Sequence, residues 1–239
     1  MGFAFAAALA KSAAELIIIG SNEQRLQSAK EELENTYNVK VHILRAGLTE
    51  QNSISNIIKL LNDLGLLPDL LINNAGIGFY GNYTDLAGND DLNVINVNVL
   101  APTILTREIL QRKKPNKDIT ILNISSTIAF RKSPGWAVYS ATKAYIFSLT
   151  RTLSMEYKRQ GVQFSLLCPG KINTEFDKKA GISYRSQPGK DSPDEIAEYT
   201  LKKIYKGKEI VIPGLKNKAK YYFIKYMPDF VSDFIIGKL

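Results

Sequence analysis

The chain has 239 residues and a hydrophobic fraction of 45%, which predicts one folded domain with a substantial core and excludes an intrinsically disordered chain. Its single cysteine, Cys168, excludes an internal disulfide and a zinc site of several thiolates, so we expect no metal site and a reducing, cytoplasmic environment. The net charge of +8 is concentrated in residues 202–239, which hold nine lysines and three acidic residues, and a nucleic-acid-binding face over the whole domain is therefore not expected.

The first segment, residues 3–14, is rich in alanine and predicts a helix. The apolar stretch 2–10 could also be the core of a signal peptide, but no basic residue precedes it and Lys11 ends it. No apolar run in the chain approaches the roughly 18 residues that cross a membrane. We therefore interpret this segment as part of the folded domain.

Strand-like and helical segments alternate in the rest of the chain. Runs of Ile, Val and Leu predict strands at 16–19, 39–44, 69–73, 119–124, 162–167 and 209–212. Helical patterns and capping residues predict helices at 22–37, 53–64, 90–112, 138–157 and 193–205. This alternation predicts an α/β fold: a doubly wound, Rossmann-like parallel sheet between two layers of helices.

Details of these helices also follow from the sequence. We expect Thr49 to cap helix 53–64, and Pro102 to kink helix 90–112.

The only histidine, His42, lies in a predicted strand, which favours a structural role over that of a catalytic base. We expect a main domain at residues 1–214 and a basic, aromatic, helical tail at 215–239.

The stretch Tyr139-Ser140-Ala141-Thr142-Lys143 carries the clearest chemical signal. On a helix, Tyr139 and Lys143 lie one turn apart on the same face. An ammonium close to a phenol favours the phenolate and lowers the pKa of the tyrosine, so the pair could exchange a proton with a substrate oxygen. A chance spacing on a solvated helix face is the alternative.

Three further features support the chemical interpretation. Ser126 follows the strand 119–124, at the carboxyl edge of the sheet where ligands bind. Asn98 lies in an apolar helical stretch, where a buried amide needs hydrogen-bond partners. The small residues of Asn73-Asn74-Ala75-Gly76 follow another strand and would let a flat ring or a ribose approach the backbone.

Together these motifs resemble the short-chain dehydrogenase/reductase family. The resemblance extends from Gly2 to about residue 212. It rests on the motifs Asn-Asn-Ala-Gly at 73–76, Asn98, Ser126, Tyr-x-x-x-Lys at 139–143, and Pro169-Gly170 with Thr174. It implies hydride transfer between a nicotinamide cofactor and a carbonyl or alcohol.

The resemblance also implies residue roles. Tyr139 would be the general acid and base, and Lys143 would bind the nicotinamide ribose and lower the pKa of the tyrosine. Ser126 would hydrogen-bond the substrate oxygen, and Asn98 would hold a water in a proton relay beyond Lys143. The implied cofactor-binding residues are Gly2, Ser21, Asn74, Ala75, Gly76, Tyr139, Lys143, Pro169, Gly170, Ile172 and Thr174.

The chain departs from the family pattern at its start. A nucleotide-binding domain of this kind begins with a strand and a glycine-rich turn, whereas this sequence begins at the helix, and only Gly2 matches the turn. The motif Gly-x-Gly-x-x-Gly at 76–81 imitates such a turn, but no small-residue helix start follows it. We expect either a misplaced start with an omitted upstream segment, which we favour, or a truncated relative with weakened cofactor affinity.

The adenosine end gives a weak indication of NADP, with NAD as the alternative. Gly20-Ser21 follows the second strand of the family pattern without the acidic residue that binds the ribose diol of NAD. Ser21 stands where NADP-preferring relatives often have arginine. Gly47 replaces the aspartate that usually meets the adenine.

The expected substrate-side segments, 77–88, 127–137 and 175–192, are rich in aromatic residues. These residues favour a lipophilic, ketoacyl- or steroid-like carbonyl or alcohol, although loop packing or dimer contacts would also explain several of them. They are Phe79, Tyr80, Tyr83, Phe130, Trp136, Phe176 and Tyr184.

We also expect two kinds of partner, a membrane surface and further copies of this chain. The basic aromatic tail is typical of a helix that lies on an anionic membrane, and a helix that closes the fold or an oligomer is the alternative. By analogy with the family we expect a homodimer or homotetramer. A non-catalytic regulatory relative that kept the scaffold is the alternative to an enzyme.

Overall fold

The computed structural model describes residues 1–50, 52–182, 191–226 and 231. The strands within these ranges are β1 (Glu15–Gly20), β2 (Lys40–Arg45), β3 (Leu70–Asn73), β4 (Ile119–Ile124), β5 (Val162–Leu167) and β6 (Ile210–Val211). The α-helices are α1 (Gly2–Ala10), α2 (Glu23–Tyr37), α3 (Ser53–Asp63), α4 (Gly88–Ile95), α5 (Ala101–Arg112), α6 (Ala137–Glu156), α7 (Phe176–Lys179), α8 (Pro193–Ile204) and α9 (Leu215–Tyr226). Strands alternate with helices as predicted, and the α/β fold is confirmed.

The strands form two parallel sheets instead of one. β1 pairs with β2, and the second sheet has the order β3-β4-β5-β6. In the part of the chain that the structure describes, no strand joins β1 to β3. The gap lies where the sequence predicted that the usual first strand of the fold is absent.

Helices on both faces span this gap. On one face α1 packs against both sheets, because Ala6 contacts the cluster that includes Ile18 of β1 while Phe5 belongs to the cluster around Ile72 of β3. On the other face, Ile17 of β1 and Leu71 of β3 pack against one cluster, which α3 and α5 also enter. The apolar side chains of α1, α3 and α5 therefore contact both sheets.

The strands that border the gap are less buried than the strands behind them. Ile121 and Leu122 of β4 have no exposed surface, whereas no residue of β1 or β3 is fully buried. Ile19, at the end of β1, is 37% exposed. An unpaired strand edge leaves backbone and side chains open on that side, so the gap reduces the burial of both strands.

The predicted helix 90–112 is divided. A π-helical turn, Asn96–Leu100, separates α4 from α5 and ends just before Pro102. Proline has no N–H for the helical ladder, so the preceding turn widens instead of simply bending. This wide turn carries Asn98, which it directs toward α6.

The predicted cap at Thr49 is wrong. The N-cap of α3 is Asn52, which adopts a left-handed conformation with φ of 70° and makes no side-chain cap bond. The Ser53 hydroxyl instead donates a hydrogen bond to the Gly47 carbonyl and closes the turn that precedes the helix. Local turn geometry, not a threonine cap, starts this helix.

Candidate active site

The four predicted catalytic residues meet beside the carboxyl edge of the larger sheet. Ser126 follows β4, Tyr139 and Lys143 lie on α6, and Asn98 lies on the π turn. The parallel strands direct their carboxyl ends to one edge, and α6 packs across β5 and the short 3₁₀ helix 127–130 after Ser126. The sequence-predicted group therefore forms one site.

Tyr139 is held by a hydrogen bond and by aromatic rings. The Ser126 hydroxyl is hydrogen-bonded to the phenol of Tyr139 and accepts a hydrogen bond from the Ile128 amide at 3.2 Å. The rings of Trp136 and Phe176 each lie 5.2 Å from the Tyr139 ring, measured between centroids. Burial raises the pKa of Tyr139 above its ordinary value, and the bond with Ser126 opposes this rise. Lys143 was expected to lower the pKa of Tyr139, but desolvation is the larger effect and raises this pKa.

Lys143 lies beneath this group and is only 4% exposed. Its ammonium donates a hydrogen bond to the Ile124 carbonyl at 3.0 Å and lies 5.6 Å from the centre of the Tyr139 ring. Burial lowers the pKa of Lys143 to about 8. The amine is thus charged at neutral pH but gives up its proton more easily than a surface lysine.

Asn98 is fully buried and its amide has protein partners. Its carbonyl accepts from the Ile77 amide at 3.0 Å, and its NH₂ donates to the Ile77 carbonyl at 2.8 Å and to the Thr142 hydroxyl at 3.1 Å. These bonds fix the loop after β3 to α6. The side chain therefore has a structural role in this loop, and the water-holding role predicted for Asn98 stays a prediction.

The glycines of the loop after β3 allow a close approach to α6. A Cβ on Gly76 would lie 3.1 Å from Nζ of Lys143 and 3.5 Å from Oδ1 of Asn98, and one on Gly78 would lie 2.7 Å from the Tyr139 ring. No helix begins after this loop, which continues to a 3₁₀ turn at 83–85. Gly76 and Gly78 of the Gly-x-Gly-x-x-Gly match at 76–81 therefore let this loop pack against α6.

The remaining predicted cofactor residues lie at or close to the carboxyl edge of the sheets. Gly2 begins α1, and a Cβ there would lie 3.0 Å from the side-chain amide of Asn74. Ala75 and Ser21 are exposed after β3 and β1. The Pro169 carbonyl accepts from the Thr127 amide at 3.0 Å, which joins the loops after β5 and β4. Gly170, Ile172 and Thr174 continue the loop after β5.

His42 lies outside this group, whereas Cys168 lies beside Lys143 but is sealed in the core. The His42 ring is hydrogen-bonded to the carboxylate of Glu15 at 2.9 Å, toward the amino end of β1 and away from the site. Cys168 is fully buried, and burial raises the pKa of its thiol. Neither residue is placed to react with a ligand at the site.

The described aromatic residues of the expected substrate side divide into three groups. Trp136 and Phe176 surround Tyr139, and Tyr80 packs on Trp136 at 5.5 Å. Phe130 instead packs against Phe147 and Tyr221 of α9, away from this group. Phe79 and Tyr83 line a small cavity together with Tyr139. Tyr184 lies outside the described residues.

One charged pair at the site has no counterpart in the sequence prediction. Arg25, in the first turn of α2, donates to the Glu175 carboxylate at 3.0 Å, and this pair joins the start of α2 to the N-cap of α7. The two residues are 150 positions apart in the chain. The position of Arg25 four residues after Ser21 is the only sequence signal that could have indicated it.

Comparisons with known proteins agree with this geometry. The family model for short chain dehydrogenases matches residues 1–184. The chain is 28% identical to mouse (Mus musculus) 17-beta-hydroxysteroid dehydrogenase type 3 over 211 residues, which are 87% of this chain and 67% of that protein. It is 30% identical to the 3-oxoacyl-(acyl-carrier-protein) reductase FabG of Rickettsia bellii over 207 residues, or 87% and 78% of the two chains.

The comparison with solved structures shows the same fold. A short-chain dehydrogenase from Sphingobium yanoikuyae, solved in complex with NADPH, superposes with a TM-score of 0.85 and 24% identity over 100% of this chain and 92% of that one. The chain therefore belongs to the short-chain dehydrogenase/reductase family and is an NAD(P)-dependent oxidoreductase.

Proposed function

We propose that the protein transfers a hydride between NADP(H) and a lipophilic ketone or secondary alcohol. The observation that carries this proposal is the hydrogen bond between Ser126 and Tyr139, enclosed by the rings of Trp136 and Phe176 above the buried amine of Lys143. A proton donor inside an aromatic enclosure suits an apolar substrate with one polar oxygen.

The described residues fit a nicotinamide cofactor at this edge. Gly76 and Gly78 bring the loop after β3 against Lys143 and Tyr139, so a cofactor that contacts these two side chains would also lie beside this loop. The α1 N-terminus stands beside Asn74, and such helix ends attract phosphate. The nicotinamide supplies or accepts the hydride when it is bound. Lys143 would bind its ribose, and Pro169 to Thr174 would border its ring.

The proton chemistry belongs to Tyr139. Its raised pKa keeps the phenol protonated at neutral pH, so it can donate a proton to the carbonyl oxygen of a ketone that is being reduced. Ser126 can donate a hydrogen bond to the same oxygen as charge develops there. The buried ammonium of Lys143 then stabilises the phenolate, and proton return to Tyr139 would proceed past Lys143 and Asn98.

The preference for NADP rests on charge near Ser21. No acidic side chain follows β1 directly, and Arg25 in the next helical turn is 66% exposed. A guanidinium binds phosphate through two parallel hydrogen bonds, so Arg25 can recognise the 2′-phosphate of NADP once it leaves Glu175.

The lipophilic substrate class is supported by the aromatic group around Tyr139 and by two relatives. The names of those relatives specify a hydroxysteroid and a 3-oxoacyl group, both of which combine a large apolar body with one ketone or hydroxyl. We infer a substrate of this kind for the present chain, with Trp136 and Phe176 against its apolar part.

Exposed apolar side chains on three neighbouring helices support a homodimer. They include Leu92 and Ile95 of α4, Ile104 of α5, and Tyr145 and Met155 of α6, with Met155 78% exposed. Apolar patches of this kind mark interfaces between subunits. We propose that two copies pair through this face.

The alternative is a non-catalytic relative with impaired cofactor binding, and the gap between β1 and β3 favours it. A titration of the protein with NADPH and with NADH, followed by nicotinamide fluorescence, separates the two functions. Tight NADPH binding, and oxidation of NADPH by a steroid ketone or a 3-oxoacyl thioester, support the enzyme. Lack of binding at millimolar NADPH and NADH would support the alternative.

A further inference from the structure

Helix α9 has an exposed apolar stripe. Leu215, Tyr222, Phe223 and Tyr226 are 84%, 55%, 62% and 75% exposed, and they occupy about a third of the helix circumference together with the exposed Ala219. We call these five residues the α9 stripe. Large aromatic side chains at such exposure are unfavourable in water and indicate a surface with a partner.

Lysines border the α9 stripe. Lys216 and Lys220 are exposed on one side of it, and Lys218 lies toward the other side. The helix has four lysines and no acidic residue among its twelve positions. The surface is therefore apolar at its centre and positive at its edges, and it complements a surface with an apolar interior and a negative outer layer.

The opposite side of α9 holds the helix on the domain. Tyr221 is 7% exposed and packs against Phe130 and Phe147. Lys218 donates to the Tyr199 hydroxyl of α8 at 3.3 Å. Because this inner side is occupied by the core, the α9 stripe faces outward as part of the domain surface.

The attachment of α9 places the stripe close to the active site. Phe130, which packs on Tyr221, ends the 3₁₀ helix that follows Ser126. Asn217 stands against Gly170, where a Cβ would lie 2.7 Å from its side-chain amide. These loops follow β4 and β5, so a surface bound by α9 would lie beside the loops that lead from Ser126 and Pro169.

We propose that α9 docks the protein on the surface of an anionic lipid bilayer, with the α9 stripe in the headgroup region and its lysines on lipid phosphates. No helix among the described residues is long and apolar enough to cross a membrane. This inference goes beyond the proposed function, because it assigns a surface and a partner that hydride transfer does not require.

The test measures binding of the whole chain to vesicles by co-sedimentation. Vesicles of phosphatidylcholine with about one third phosphatidylserine should bind the protein, and vesicles of phosphatidylcholine alone should bind it at least roughly ten-fold more weakly. High salt should release the protein from the anionic vesicles. Equal binding to both kinds of vesicle, or no binding to either, would overturn the proposal.

Paired variants test the two components of the surface. Tyr222→Ser with Phe223→Ser removes apolar contact, and Lys216→Glu with Lys220→Glu reverses charge, so each pair should lower the partition coefficient about ten-fold or more. Tyr205→Ser and Lys202→Glu change an exposed tyrosine and an exposed lysine near the end of α8. These control variants should bind the anionic vesicles as the unchanged chain does, and an equal loss in the controls would contradict the assignment to α9.

A soluble acidic protein could bind α9 through the lysines alone, without contact to the α9 stripe. Addition of polyglutamate distinguishes the two partners, because the bilayer proposal predicts that it displaces the protein from vesicles only weakly. Displacement at low polyglutamate concentration, together with full vesicle binding by the serine pair, would assign the surface to an acidic protein and overturn the bilayer proposal. NADPH binding is measured separately and is expected to be the same in all variants.

Discussion

Gly78 lies against Tyr139 so closely that a Cβ on the glycine would sit 2.7 Å from the tyrosine ring. Gly78→Ala should therefore displace the ring and the phenol from Ser126. We expect kcat to fall by about ten-fold or more, since small misplacement of a reacting group has large effects, while circular dichroism shows an intact fold. Gly88→Ala is the matched control, because a Cβ at Gly88 meets nothing within 4 Å. Equal kcat for Gly78→Ala and the control would refute the positioning of Tyr139 by this loop.

The buried amine of Lys143 predicts a pH dependence of stability. Burial lowers its pKa to about 8 from 10.5, so between these pH values the unfolded chain binds more protons than the folded protein. The contribution of Lys143 to the free energy of unfolding should therefore rise with pH across this window, by about 3 kcal/mol in total.

Denaturant unfolding of the unchanged protein and of Lys143→Met, between pH 7 and 10.5, measures this contribution. The difference between the two curves is the relevant quantity, because the raised pKa values of Tyr139 and Cys168 act in the opposite direction in both proteins. A difference that stays constant with pH would show that Lys143 keeps its ordinary pKa in the folded protein.

Arg25 is expected to select the cofactor. Arg25→Gln removes the guanidinium proposed to bind the 2′-phosphate, so the ratio of NADPH affinity to NADH affinity should fall about ten-fold. Glu175→Gln frees Arg25 from its ion pair and should raise NADPH affinity. Lys30→Gln, further along α2, is the control and should leave the ratio unchanged. The role of Arg25 is excluded if its variant binds both dinucleotides as the unchanged chain does.

The gap between β1 and β3 predicts an uneven pattern of hydrogen exchange. Amides of β1 and β3 that face the gap should exchange faster than those of β4, which is paired on both sides. A chain extended before Met1 by an apolar strand of about six residues and a glycine-rich turn should protect these amides and stabilise the protein. Equal protection of β3 and β4 without the extension would contradict the open gap.

Much of the fold follows from the sequence because its signals are local. The apolar runs of β4 and β5 predict both strands with their observed bounds, 119–124 and 162–167. The group formed by Tyr139, Lys143 and Ser126 is equally predictable, because Tyr139 and Lys143 are one helical turn apart and Ser126 lies two residues after a strand.

The features that the sequence did not predict depend on tertiary contacts. The π turn that holds Asn98 needs both Pro102 and the backbone of Ile77. The pairing of Arg25 with Glu175 joins distant parts of the chain. The raised pKa of Tyr139 comes from burial by Phe176 and neighbouring residues, whereas the sequence shows only the nearby lysine.

The central claim is that the Tyr139 phenol exchanges a proton with the substrate oxygen. Tyr139→Phe removes only that hydroxyl, and the ring can still pack against Trp136 and Phe176. A single-turnover measurement of NADPH absorbance with a lipophilic ketone tests it directly. We expect the Tyr139→Phe variant to bind NADPH normally, to keep its melting temperature, and to oxidise NADPH at least about 100-fold more slowly. A rate close to that of the unchanged protein would contradict the account.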